Sequence, residues 1–170
     1  NVIKNWKKVS TDAIIPVAES YKNIMKKGIT SYQEQLDFLE ENDLTKLKED
    51  FEKCCDMYTE KANLDEVVIS NSWFNILYRE GELDFHYHGE NDLAGAFYFQ
   101  VAEESAPLVF QKEGESDFKL YPQNGRLVIF LGGMSHGVEV NKSKERGTIS
   151  FNTGNKKIVT LFKPHDSVIS

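Results

Sequence analysis

The chain has 170 residues, 40% hydrophobic and 28% charged, with a formal net charge of −7 at pH 7. That length suits a single domain, 1–170, with a sizeable buried core. The acidic balance argues against a non-specific nucleic-acid binder, which carries a basic footprint, and no run of about 18 apolar residues offers a membrane-spanning helix.

Residues 1–64 read as helical support. Val17, Tyr21, Ile24 and Met25 recur at helical spacing after Pro16, predicting a helix over 17–27 that stops at Gly28. Ser31 with Glu34 makes a capping box for a helix carrying Tyr32, Gln35, Leu36 and Leu39 near one face. Asn42 or Asp43 is placed to cap the next, where Leu44, Leu47, Phe51, Cys54 and Tyr58 recur at spacings of three and four. Its other positions are Lys and Glu, a solvated face, so these helices are expected to pack on the outside of a sheet. The adjacent Cys54 and Cys55 close no useful loop and form no disulfide framework. One is expected to face the core and the other the helix edge. Together with the lack of a leader-like start, this usage suits a reducing, cytoplasmic compartment.

From Glu66 the periodicity changes. EVVISNSWFNILYRE, LDFHYH, LAGAFYFQV, PLVFQK, FKLYP, RLVIFLG, HGVEV, GTISFN and KIVTLF are short β-branched and aromatic runs. Turn clusters such as REGE, GEND, EESAP, GESD, PQNG and NKSKE separate them. Eight or nine such strands over 65–163 predict an antiparallel sandwich or barrel, hence an α+β chain. No alternating βα units occur. Gly132-Gly133 precedes no helix, so a phosphate loop is not supported.

The chemistry concentrates in LDFHYHGEND. In an extended strand Asp84, His86 and His88 share a face opposite Leu83, Phe85 and Tyr87. The chain has four histidines, and two of them form this i, i+2 pair. A third, His136, lies two strand-like runs further on. A pair on one strand and a third ligand on a neighbour can supply three corners of an octahedron, leaving positions open as in the non-haem iron(II) oxygenases. His86, His88 and His136 meet that count. So do His88, Glu90 and His136, although Glu90 falls in a turn. The three histidines are the preferred set, with Asp84 expected to fix a ring tautomer and His165 at the surface.

Arg146, Thr148 and Ser150 alternate on one face of GTISFN and its approach, with Ile149 and Phe151 opposite. An inward arginine is costly unless it meets an anion, and its planar fork suits a carboxylate. The plainer reading is a protein salt bridge or an exposed residue beside Glu145; the nearby histidines favour a bound acid.

Taken in order, Trp73-Phe74-Asn75, His86-Tyr87-His88, Ala94-Gly95-Ala96-Phe97-Tyr98, His136-Gly137-Val138 and Arg146-Gly147-Thr148-Ile149-Ser150-Phe151-Asn152 resemble the iron(II)/2-oxoglutarate-dependent dioxygenases. The likeness is to a branch found in bacteria and phages and related to prolyl 4-hydroxylases, and it covers about residues 70–153. It implies a double-stranded β-helix, or jelly roll, with supporting helices on one side. It also implies Fe(II) held by His86 or His88 with His136, and 2-oxoglutarate held through its distal carboxylate by Arg146. Thr148 stands where the family has serine, keeping the hydroxyl, and Asn75 and Tyr98 are expected to line the cosubstrate pocket. Two positions depart from the pattern. The usual H-x-D carboxylate is missing, which admits Glu90, and Ala94 replaces a serine.

The implied reaction is hydroxylation of an unactivated C–H bond in a small-molecule or peptidyl substrate, peptidyl proline included, with release of succinate and carbon dioxide. A cupin-like three-histidine dioxygenase needing no cosubstrate, and a non-enzymatic jelly-roll binding module, are the competing expectations. Neither a membrane nor a nucleic acid is an expected partner.

Overall fold

The computed structural model describes residues 24–32, 35–89 and 92–157. In chain order the elements are β1 (Met25–Thr30), α1 (Phe38–Glu41), α2 (Thr45–Ala62), β2 (Val67–His86), β3 (Leu93–Gln100), β4 (Leu108–Gln111), β5 (Phe118–Leu120), β6 (Leu127–Leu131), β7 (Ser135–Val138) and β8 (Glu145–Asn155). The strands form one curled sheet in the order β5-β4-β7-β2-β8-β3-β6, with β1 also paired to β2. Every strand pairing within it is antiparallel.

β2 is the hinge of this architecture. Its first part pairs with β8 from Val67 to Tyr78, and its end pairs with β7 from Leu83 to His86. The sequence predicts a turn at REGE between two strands. Instead the strand bends there without ending, through Glu80 at φ 63. Backbone bonds from Glu80 N–H to the Asn141 carbonyl, 2.7 Å, and from Asn141 N–H to the Gly81 carbonyl, 2.8 Å, fasten the bend. One leaf, β1-β2-β8-β3-β6, is thereby folded against the other, β2-β7-β4-β5, giving the jelly-roll core. The expected strand KIVTLF lies, from residue 158 onward, outside the described residues, as does His165.

Alternation along β2 divides two environments. Phe74 and Ile76 face outward into a core with Phe38, Leu39, Phe51, Cys55, Ile149 and Phe151, whereas Trp73, Asn75 and Leu77 face the space between the leaves. α2 covers the outward face, its Phe51 ring stacked on Phe151 at 5.5 Å. Burying one such aromatic side chain contributes roughly 1.5–3 kcal/mol. The helix ends where Asn63 takes the left-handed conformation, φ 53, and donates its N–H to the last turn.

Three local expectations for the N-terminal third change. Residues 25–27 are strand, not the end of a helix, and residues 1–23 lie outside the described set. Pairing with β2 overrides the helical spacing, and Gly28 is there for close approach: a Cβ on it would sit 2.8 Å from the Ile76 carbonyl. Ser31 is no helix cap. It is buried and exchanges bonds with the Phe74 backbone, while Glu34 is outside the described residues and Leu36 is 84% exposed. Asp37 caps α1 instead, accepting from Glu40 N–H at 3.3 Å. Neither Asn42 nor Asp43 caps α2, which starts after Leu44 without a side-chain bond. On α2 it is Cys55 that is buried and Cys54 that is exposed. Burial pushes the Cys55 thiol up to about 12, so it packs as an inert small apolar group. Among the described residues no helix is long and apolar enough to cross a membrane.

Candidate metal centre

His86 closes β2 and His136 lies on β7, and the two are direct partners in the ladder. His88 follows two residues past the strand end, its N–H bonded to the Gly132 carbonyl at 2.7 Å. Ring centroids are 4.4 Å apart for His86 and His136, 5.1 Å for His88 and His136, and 5.2 Å for His86 and His88. One nitrogen from each ring lies within 4.8 Å of the others. The three histidines therefore converge as the sequence predicts. Glu90 lies outside the described residues.

Two rings have their tautomer set by backbone. His86 Nδ1 is 2.8 Å from the Asp84 carbonyl and His136 Nδ1 is 2.8 Å from the Met134 carbonyl. A carbonyl only accepts, so Nδ1 carries the proton and the Nε2 lone pair is left for a metal. Asp84 thus fixes a tautomer, but through its main chain and not its carboxylate, which approaches Lys26 Nζ at 3.6 Å. The reason is a register shift between Leu83 and His86. It breaks strict alternation, so Leu83 joins His86 and His88 on the cleft side. Burial pulls His88 and His136 down to about 4 and lowers His86 as well. All three rings are neutral at pH 7, the state a metal requires.

Glycines make the arrangement possible. A Cβ on Gly132 would lie 2.6 Å from the Gly89 carbonyl and 3.3 Å from His88 Cβ. A Cβ on Gly137 would lie 2.9 Å from the Leu83 carbonyl. The turn before β7 and the β2–β7 contact can close only with hydrogen at these positions.

Across the cleft, on β8, Arg146, Thr148 and Ser150 all line the same space. Arg146 is 3% exposed. Its Nε donates to the Ala106 carbonyl at 2.9 Å, and its guanidinium carbon is 5.1 Å from the centre of the Tyr98 ring. Burial lowers its pKa from the ordinary value, opposed by the neighbouring Tyr98, yet a guanidinium keeps its charge at neutral pH. No carboxylate pairs with it among the described residues. A buried cation without a counterion costs several kcal/mol unless an anion joins it. The Tyr98 hydroxyl is buried beside it.

Asn75 also lines the cleft. With its amide oriented to satisfy both ends, Nδ2 donates to Thr30 Oγ1 at 2.7 Å and Oδ1 accepts from Trp73 Nε1 at 3.1 Å and Ser150 Oγ at 3.2 Å. Its polar groups are largely committed to the wall. Tyr98 does not line the cleft but stands behind Arg146. Leu77, Leu83, Leu108, Phe130 and Val138 supply an apolar surface between the polar ends. The cleft's empty space, its open mouth included, is about 520 Å³. Three neutral imidazoles, two of them with Nε2 left free by their Nδ1 bonds, fit a transition metal such as iron, nickel, copper or zinc, and the unpaired guanidinium fits an organic acid.

No family model matches the sequence, and no curated protein matches it. Solved structures do match the fold. A prolyl-4-hydroxylase from Pseudomonas putida aligns over 91% of this chain and 84% of its own, with TM-score 0.66 and 12% identity. HygX from Streptomyces hygroscopicus, whose structure contains nickel and 2-oxoglutarate, aligns over 91% of this chain and 78% of its own, with TM-score 0.57 and 7% identity. An oxidoreductase of the 2OG-Fe(II) oxygenase family from Burkholderia pseudomallei aligns over 54% of this chain, which spans 46% of that protein, with TM-score 0.50 and 14% identity. By its architecture, the chain shares the jelly-roll fold of these structures.

Proposed function

We propose that the chain is an Fe(II)- and 2-oxoglutarate-dependent oxygenase that hydroxylates an unactivated C–H bond and releases succinate and carbon dioxide. The observation that carries this reading is one cleft holding three convergent neutral imidazoles and a buried, unpaired guanidinium. His86, His88 and His136 would hold the metal, His86 and His136 through Nε2. Bound iron(II) supplies the oxygen activation and the oxidising power.

The chain's own residues supply the rest. Arg146 receives the distal carboxylate of 2-oxoglutarate as a charge-assisted pair, with the Thr148 hydroxyl two residues along the same face as a further donor. Asn75 and Trp73 stiffen the wall beside it. The leucines, Phe130 and Val138 shield the reacting end from water. A small-molecule or peptidyl substrate enters through the open mouth; kinship of fold with a prolyl-4-hydroxylase makes peptidyl proline one candidate.

The test is succinate formation from 2-oxoglutarate in the presence of iron(II) and oxygen, absent without iron and lost in His136→Ala. A second reading, a cupin-like dioxygenase needing no cosubstrate, is favoured by one observation: the third candidate ligand is histidine where the H-x-D pattern has a carboxylate. Oxygen uptake that is independent of 2-oxoglutarate selects it. A preparation that binds no stoichiometric metal at neutral pH leaves the non-enzymatic binding module.

A further inference from the structure

Asn141 has no place in the motifs that mark the cleft, yet its side chain is completely buried and fully engaged. Its Nδ2 lies 3.2 Å from the Leu77 carbonyl, 3.1 Å from the Tyr78 carbonyl and 3.1 Å from the Ser143 carbonyl. Its Oδ1 accepts from Ala106 N–H at 3.2 Å and from Ser143 Oγ at 2.9 Å. Ser105 Oγ then donates to Ser143 Oγ at 3.0 Å, tying the segment before β4 to the same knot.

Two of these partners are the neighbours of Arg146. Leu77 is its direct partner across the β2–β8 ladder. Ala106 carries the carbonyl that accepts from Arg146 Nε. Asn141 thus grips the Ala106 peptide by its N–H while Arg146 holds the next peptide plane by its C=O, and it binds the strand opposite Arg146 as well. The histidines are anchored elsewhere, by the Asp84, Met134 and Gly132 carbonyls.

We propose that Asn141 is a positioning residue that aims Arg146 at the acid bound in the cleft, acting through the Ala106 peptide and Leu77. The inference rests on the cosubstrate reading above. A half-satisfied buried network loses its geometry as a unit, so removing the amide frees the Ala106 N–H, the carbonyl of the same residue loses its fixed place, and the guanidinium bonded to it turns.

The experiment is titration of 2-oxoglutarate into the Mn(II)-loaded full chain, beside titration of Mn(II) alone. In Asn141→Ala the 2-oxoglutarate dissociation constant rises at least tenfold while that for Mn(II) changes less than threefold. In an Arg146→Lys background, which lacks the Nε–H that Ala106 accepts, adding Asn141→Ala changes the 2-oxoglutarate constant less than threefold, since residues acting through one another are not additive. If Asn141→Ala does not fold, Ser143→Ala is used, with a two- to fivefold rise for 2-oxoglutarate and none for Mn(II). Equal weakening of both ligands, or of neither, or full additivity with Arg146→Lys, overturns the role. Failure of the unaltered protein to bind 2-oxoglutarate at all, with Mn(II) still bound, overturns the cosubstrate reading and this inference with it.

Discussion

His86 and His136 are Cα partners on adjacent strands, with ring centroids 4.4 Å apart, and each donates Nδ1–H to the carbonyl two residues before it. The same device on two neighbouring strands presents two Nε2 lone pairs to one point. His88 completes the set because the Gly132 carbonyl holds its backbone.

Removing a ring should therefore remove the metal and leave the fold. In His136→Ala the metal-to-protein ratio after dialysis against iron(II) is expected to fall from near one to near zero. Metal analysis checks it, with the circular dichroism spectrum unchanged.

Gly132→Ala tests the support of His88. The added Cβ would meet the Gly89 carbonyl at 2.6 Å, and backbone must move to relieve it. Metal affinity is expected to fall at least about tenfold, a cost of roughly 1.4 kcal/mol or more, with little change in global stability. Calorimetric titration with Mn(II) checks the first and urea denaturation the second.

Arg146→Met is expected to move stability and binding in opposite directions. A buried cation without a counterion is retained at a cost, which an apolar residue of similar volume does not carry. The urea midpoint of the metal-free protein should rise, and 2-oxoglutarate affinity should fall at least about tenfold. A lower midpoint would mean that the Ala106 hydrogen bond and the Tyr98 contact outweigh the cost of burying the charge.

The metal-free protein should lose stability as the pH falls from 6.5 towards 4. His88 and His136 stand near 4 when folded against 6.5 ordinarily, so the unfolded chain takes up protons first. The loss is on the order of 1–3 kcal/mol for His136, from the size of its shift, and levels off below about pH 4. Asp37, held below its ordinary 3.8 by Lys48 and Ser72 against the opposing effect of its burial, contributes stability that is lost mainly as the pH falls below that value, under this window. Urea midpoints from pH 7.5 to 4 check it, and His136→Gln should flatten the curve.

The strand two-thirds of the fold is legible because alternation and turn residues act locally. Trp73, Asn75 and Leu77 face one way and Phe74 and Ile76 the other, as a period of two dictates. The N-terminal third is less so. The Met25–Thr30 strand exists because β2 offers an edge, a partner 50 residues away that helical spacing does not register. At the site, the histidines and Arg146 are visible as charged or polar residues at inward positions. The shift between Leu83 and His86 is not visible, and it turns the Asp84 carboxylate away. Asn141 is hidden for a similar reason: its partners are backbone groups of distant strands, which leave no pattern in the sequence.

The central claim is one cleft in which three imidazoles hold a metal and Arg146 holds an acid. A crystal grown without oxygen and soaked with iron(II) and 2-oxoglutarate tests it most directly. The account predicts one metal bound by His86, His88 and His136, and the oxoacid's distal carboxylate paired with Arg146. A metal bound by other residues, or an oxoacid lying away from Arg146, would contradict it.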